Sequence, residues 1–164
     1  MANKIYKVDE TSITWTDSSG DLAMTLNNLA AGAGRQGAVK DLGAGGTART
    51  RRYRWRAIVQ QDTAGVVDET IEIWLKTGDG TYYDNDDGTG DIAVSAYDKL
   101  NNCKLLGMLT VDEAVADVNI SKSGYVYIGE RYVMPIMWNA SADNLQATDN
   151  VNKFILTPEP DEIQ

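Results

Sequence analysis

The sequence predicts an all-β fold: an antiparallel β-sandwich, most simply a jelly roll, formed by one domain over residues 1–164. Roughly nine to eleven short segments alternate apolar and polar residues with period two, at spacings typical of a sandwich. No long amphipathic helix is evident, and a chain of 164 residues can bury a core without disulfides. The 43% apolar and 24% charged content is that of a globular protein.

Two segments between Arg51 and Lys76 have the strongest strand pattern. The first alternates arginines with an apolar set that comprises Tyr53, Trp55, Ala57 and Val59. The second alternates polar residues with Ile71, Ile73 and Leu75. Because only a short polar break separates them, we predict an antiparallel pair with arginines opposite Glu72. Each opposite-charge pair across the strands would contribute roughly 0.2–1 kcal/mol.

The other strands are predicted at 4–8, 12–16, 22–26, 92–95, 104–111, 118–120, 125–128, 131–138 and 154–157. Segment 104–111 is apolar on both faces, which predicts a strand covered on both sides. Segments 125–128 and 131–138 are predicted to form a second strong pair. Pro135 restricts its strand to a sheet edge or a bulge, since proline lacks the amide N–H.

Two segments lack the alternation of apolar and polar residues that predicts strands. Residues 27–47 are rich in glycine and have little to bury, which predicts a long surface loop or an arm that orders on a partner. Within them, Gly32–Gly37 matches GxGxxG by letter, but the strand, helix and distal acidic residue of a dinucleotide site are not predicted around it. Residues 158–164 are predicted to form an extended acidic tail.

The amino-acid composition excludes the catalytic sites that require histidine. The chain has no histidine, which excludes a Ser-His-Asp triad, a Cys-His pair and a His-ligated zinc site. The single cysteine, Cys103, cannot form an internal disulfide and is predicted to be a small buried hydrophobe. A glycosidase pair of Glu72 and Glu130 needs no histidine, but Lys76 and arginines near Glu72 would spoil a general acid. We therefore expect no enzymatic activity and no cofactor.

The charge is unevenly distributed along the chain. The net charge is −9; residues 1–60 hold nine Lys and Arg against five Asp and Glu, and residues 61–164 hold six against nineteen. Nucleic acid is a disfavoured partner because the acidic remainder would repel it. The amino terminus lacks the apolar stretch of a signal peptide, and no run of 18 apolar residues suggests a membrane span. We expect synthesis in a cytoplasm and no membrane partner.

Residues 77–91 are the most polar stretch of the chain. They contain five candidate calcium ligands: Asp79, Asp84, Asp86, Asp87 and Asp91. The ligand order of an EF-hand is absent, and the same composition suits an ordinary solvated turn. A lectin-like reading also remains open, because Trp74, Tyr82 and Tyr83 could offer stacking surfaces beside this stretch.

Several phrases resemble one family of small structural proteins of tailed bacteriophages. They are LNNLAAGAGRQGAVKDLG at 26–43, RYRWR at 52–56, DKLNNCKLLG at 98–107, SGYVYIGERYVMPIMWNA at 123–140 and FILTP at 154–158. Together they resemble the jelly-roll decoration, or cement, proteins of phage heads. None of these phrases marks a catalytic site.

The resemblance implies a homo-oligomer, dimer or trimer, that binds the major capsid protein on the outer surface of the virion and bridges capsid subunits. We expect the glycine-rich segment to contribute to that contact, and the candidate residues are Arg35, Lys40, Arg49 and Arg51. The alternative is a lectin-like module of the virion tail or fibre that binds a receptor or glycan.

Overall fold

The computed structural model describes residues 5–7, 10–17, 22–43 and 50–163. Within these ranges the chain forms 13 strands and one short 3-10 helix, Tyr97–Leu100. The strands are β1 Ile5–Lys7, β2 Ile13–Thr16, β3 Leu22–Ala23, β4 Gly34–Gln36, β5 Lys40–Asp41, β6 Arg52–Val59, β7 Thr70–Gly78, β8 Ile92–Val94, β9 Lys104–Thr110, β10 Ile120–Tyr127, β11 Tyr132–Asn139, β12 Lys153–Pro158 and β13 Asp161–Ile163.

The strands form two packed sheets, which confirms the predicted β-sandwich. The first sheet has the order β10-β6-β12-β2-β3, with only β2 and β3 parallel. The second has the order β8-β4-β11-β7-β9, and β5 also pairs with β11. Successive long strands mostly cross from one sheet to the other, so that strands adjacent in sequence face each other across the core.

This crossing contradicts both predicted strand pairs. Strand β6 pairs with β10 and β12, while β7 lies in the opposite sheet between β11 and β9. Strands β10 and β11 are separated in the same way. The arginines of β6 therefore do not lie opposite Glu72. Alternation correctly identified the buried faces of β6 and β7, but it carries no information about which strand is the neighbour.

The core lies between the two sheets. The apolar residues predicted to face inward on β6 and β7 are all buried there. Trp15 of β2 and Phe154 of β12 pack edge to face, with ring centroids 5.8 Å apart. Trp55 fits against Gly124 of β10, where an added Cβ would lie 2.9 Å from the indole Nε1. Close packing of aromatic rings on glycine thus joins the strands of the sandwich.

The prediction for residues 104–111 is wrong, because the outer face of the edge strand β9 is exposed to solvent. Leu105 and Met108 are 44% and 43% exposed. Of the two settings predicted for Pro135, the sheet edge is wrong, since β11 lies inside the second sheet between β7 and the pair β4 and β5. Pro135 is tolerated there because one neighbour of β11 changes from β4 to β5 at this point, which interrupts the ladder on that side.

The glycine-rich segment is not a free loop or arm over its described part, residues 27–43. Strand β4 lies between β8 and β11, and Gly34, Gln36 and Gly37 are buried. A Cβ on Gly34 would lie 2.5 Å from the Trp138 ring, so glycine permits this close approach. Strand β4 has antiparallel neighbours and is followed by β5, so GxGxxG here does not stand in a dinucleotide-binding unit. Residues 44–47 lie outside the described ranges.

The predicted acidic tail is also paired over most of its length. Pro158 ends β12, Glu159 is buried, and β13 pairs antiparallel with β1 near the amino terminus. The two ends of the chain are therefore joined in a two-stranded ribbon, with Lys7 in register with Asp161.

Candidate functional site

The outer face of the first sheet carries a regular array of basic and aromatic side chains. We call it the Arg–Tyr face and define it as the outward residues of three strands: Arg52, Arg54, Arg56, Ser123, Tyr125, Tyr127, Lys153, Ile155 and Thr157. Tyr125 and Tyr127 are 60% and 66% exposed. These residues face outward because their inward neighbours, such as Trp55 and Val126, fill the core.

Strand register arranges these side chains in rows. Arg56 lies between Ser123 and Ile155, and Arg54 lies between Tyr125 and Thr157. Among the residues that define the face there is no carboxylate. At the margin of the face, Arg52 forms an ion pair with the buried Glu159, and the Arg52 Nε and Glu159 Oε2 atoms are 3.4 Å apart.

The arginines of the face contribute to two features, a cation–π contact and a depression in the surface. The Arg52 guanidinium also lies over the Tyr125 ring, 4.4 Å from its centroid, in a cation–π contact. Arg54 and Arg56 are exposed, and between them lies a shallow cavity of about 380 Å³. Its polar lining also includes Ser12, Ser123 and Thr157. The face is therefore a fixed array of donors with an open depression at its centre.

The second sheet has a different outer face, because residues 79–103 fold over it. We call these residues the cover segment. Val94, Leu100 and Cys103 of the cover segment form a second apolar cluster with Ile136 of β11, and Trp74 and Trp138 pack against it. Tyr97 packs edge to face on Trp138 with ring centroids 5.1 Å apart. The sandwich thus has an open basic face on one side and an apolar, covered face on the other.

Lys76 of β7 lies fully buried under the cover segment. Its ammonium donates to the Gln36 side-chain oxygen at 3.1 Å, to the Gly88 carbonyl at 3.0 Å and to the Asp87 carbonyl. Burial lowers the pKa of Lys76, and the nearby carboxylates of Asp87 and Asp84 oppose that shift. A protein ammonium therefore supplies the positive charge around which the acidic stretch is arranged.

The five calcium candidates are dispersed among internal partners. Asp79 accepts from the backbone N–H groups of Thr81 and Tyr82, and Asp84 from both the N–H and the hydroxyl of Thr77. The other partners are Lys99 for Asp86, Ser95 for Asp87, and Arg35 with Thr25 for Asp91. Within the described ranges, no group of three or more His, Cys, Asp or Glu is placed to hold a metal ion.

The three contact candidates that the structure describes do not form one surface. Arg35 is engaged internally: its Nε donates to Asp91 at 2.5 Å and its Nη2 to the Asp91 carbonyl at 3.0 Å. Burial raises the pKa of Asp91, but hydrogen bonds from Arg35 and Thr25 leave it below its ordinary value. Lys40 and the exposed Arg51 line one open depression of about 860 Å³ with Glu159. Arg49 lies outside the described residues.

Glu72 and Glu130 are not brought together. Glu72 is in register with Trp138, while Glu130 precedes Tyr132 at the other end of β11. Six residues of extended strand place them about 20 Å apart, well beyond the roughly 5–9.5 Å between glycosidase carboxylates. Glu72 instead accepts hydrogen bonds from Trp74 Nε1 at 2.9 Å and from the Tyr97 hydroxyl.

The three aromatic residues of the lectin-like alternative have different environments. Trp74 packs in the second cluster, and Tyr83 packs near Tyr132 with centroids 6.5 Å apart. Tyr82 is 78% exposed. Cys103 is buried as predicted, and burial raises the pKa of its thiol to about 11.

Sequence reasoning identified the outward arginines of β6 but assigned them the wrong partner. Tyr125 and Tyr127 were missed as surface residues, although their alternation with Val126 and Ile128 was a usable signal. Comparison with models of known protein families gives no match, and comparison with curated proteins gives none at a significant level. Among the described residues, no helix is long and apolar enough to cross a bilayer.

Proposed function

We propose that this chain is a structural protein of a tailed-bacteriophage virion. In this proposal it binds the outer surface of the capsid as a homo-oligomer and stabilises the head by bridging copies of the major capsid protein. Several sequence phrases resemble the decoration proteins of phage heads, as described above. The proposal concerns adhesion, which requires a rigid scaffold and an exposed surface and needs no reacting groups.

The observation that carries the proposal is the strand order. With the short β3, β5 and β8 and the terminal ribbon set aside, eight strands remain, four in each sheet. Their orders are β2-β12-β6-β10 and β4-β11-β7-β9. Along the chain every connection between these eight strands crosses to the other sheet except that from β7 to β9. This wrapping supports a jelly roll, the eight-stranded architecture of viral capsid domains, which lectin and cupin domains share.

The packing of the sandwich supports the same role. The space between the two sheets is filled by buried apolar side chains, and the cover segment adds a second apolar cluster on one outer face. Such a body binds without losing much conformational freedom, which lowers the entropic cost of attachment. Several copies joined in an oligomer would add modest contacts into stable binding.

A direct test uses capsid shells of the parent particle that lack this protein. The purified chain is mixed with the shells, sedimented, and the loaded shells are reconstructed by cryo-electron microscopy. We expect saturable binding and symmetric density on the outer surface, together with greater resistance of the shells to heat. Absence of binding to shells, or density confined to the tail or fibres of the complete virion, would reject the proposal.

A further inference from the structure

We propose that the Arg–Tyr face is the docking surface of this protein and that its partner is a carboxylate-rich protein surface. The inference rests on the proposed function only for the identity of that partner, the capsid. Arg56 would bind an acidic side chain of the partner seated in the 380 Å³ cavity that this arginine lines. Tyr125 and Tyr127 would provide the adjoining apolar and hydrogen-bonding contacts.

Charge complementarity is the first argument. The molecule carries a net charge of −9, yet the Arg–Tyr face has four cationic side chains and no carboxylate among the residues that define it. The buried Glu159 neutralises part of the charge of Arg52 at one margin of the face. A face of this kind attracts an acidic surface at short range, while the opposite side of the sandwich, with the acidic cover segment, repels it.

Side-chain chemistry is the second argument. Arginine presents a planar fork of donors that matches a carboxylate in a bidentate pair, and exposed tyrosines are enriched at the centres of protein interfaces. Arg56 is in register with Ser123, and Tyr125 is the next outward residue of the same strand. A carboxylate bound by Arg56 would therefore lie beside an exposed phenol ring.

The rest of the molecule favours a protein over a nucleic acid as the partner. A polyanion longer than the face would extend along the acidic parts of the chain, including the cover segment with Asp84, Asp86 and Asp87. These charges act over the Debye length of about 8 Å at physiological ionic strength. A folded partner can instead present carboxylates locally and leave the remainder of its surface neutral.

The first experiment measures binding to the capsid shells described above. We expect Arg56→Glu to weaken the affinity about tenfold or more and Tyr127→Ser to weaken it severalfold, with wild-type binding falling as salt rises. The matched control is the double variant Thr81→Glu, Thr89→Glu, which makes the same change in net charge at exposed positions of the cover segment. The control should bind as the wild type does. Equal circular dichroism spectra and thermal midpoints would establish that all variants are folded.

The outcomes separate the two proposals. If the wild type binds shells and Arg56→Glu binds equally well, or if the control loses as much affinity as Arg56→Glu, the Arg–Tyr face is not the docking surface and the proposed function stands. If the wild type does not bind shells, the proposed function fails, and the face is judged by a second experiment that needs no shells.

That second experiment titrates isotope-labelled protein with a synthetic peptide of alternating Glu and Thr and follows amide chemical shifts. We expect the changes to centre on Arg56, Ser123 and Tyr125 and to vanish in Arg56→Glu. The competing probe is a single-stranded oligothymidylate of equal charge. Changes on this face with the oligonucleotide alone would overturn the assignment of a protein partner, and no change with either probe would overturn the docking surface.

Discussion

Replacing Lys76 with methionine tests whether a buried ammonium holds the cover segment on the second sheet. Lys76 forms one network with three residues: its ammonium donates to Gln36 Oε1 and to the carbonyls of Asp87 and Gly88. Methionine has a similar length and fills the same space, so the variant removes the charge and the donors and leaves little cavity.

The expected loss of stability follows from the acceptors that lose their donor. Gly88 keeps a second donor, Gln36 Nε2 at 2.8 Å, but the Gln36 side-chain oxygen and the Asp87 carbonyl are left without the ammonium. An unsatisfied buried acceptor costs about 1–3 kcal/mol. Relief of the desolvated charge offsets part of that cost, so we expect the free energy of unfolding to fall by about 2–4 kcal/mol. For a chain of this size the thermal midpoint would fall by roughly 4–16 °C.

Two measurements check this prediction. Urea unfolding followed by tryptophan fluorescence gives the change in free energy, and hydrogen exchange gives its location. We expect exchange to rise first in the cover segment and only later in β6 and β12, because the network lies on the outer face of the second sheet. The control is Lys99→Met, which removes a partly exposed lysine paired with the exposed Asp86 and should change the urea midpoint little, because solvent screens such a pair.

The reasoning would be refuted by a Lys76→Met protein that unfolds at the same urea concentration as the wild type and keeps its exchange protection in residues 79–103. That result would mean that apolar packing through the second cluster holds the cover segment and that the ammonium merely occupies the space.

Three further predictions concern single sites. Gly124→Ala should destabilise the fold by about 1–3 kcal/mol because the new methyl group would press on the buried indole 2.9 Å away, whereas Gly129→Ala, with nothing within 4 Å, should change the urea midpoint little. Hydrogen bonds from Arg131 and the backbone N–H of Gly43 lower the pKa of Asp41 to about 2. The stabilisation from this ion pair is therefore complete above the ordinary value of 3.8 and is lost as the pH falls through about 2; a side-chain NMR titration should find that midpoint, and Arg131→Gln should raise it. Burial raises the pKa of the Cys103 thiol to about 11, so its reaction with a disulfide reagent at pH 8 should require unfolding, and rapid labelling of the native protein would contradict this.

Most strands of this protein could be predicted from sequence because apolar residues alternate with polar residues along them. The alternation in β6 and β7 identified the side chains that fill the core, and the absence of histidine excluded whole classes of site. The uneven charge along the chain was also visible. These features are local or compositional, and local geometry sets which face of a strand is apolar.

The tertiary structure decided which strands are neighbours, and the neighbours determine which side chains lie next to each other on the outer faces of the sheets. Alternation is the same for a hairpin and for two strands that face each other across a core, so the arginines of β6 were assigned to Glu72 instead of to Tyr125 and Ile155. The glycine-rich segment was read as a loop because the reason for Gly34, the ring of Trp138, comes from a strand about 100 residues away. In the same way, only the folded chain places the ammonium of Lys76 beneath the Asp-rich stretch. Long-range pairing is set by the packing of the whole sandwich, and no short window of sequence contains it.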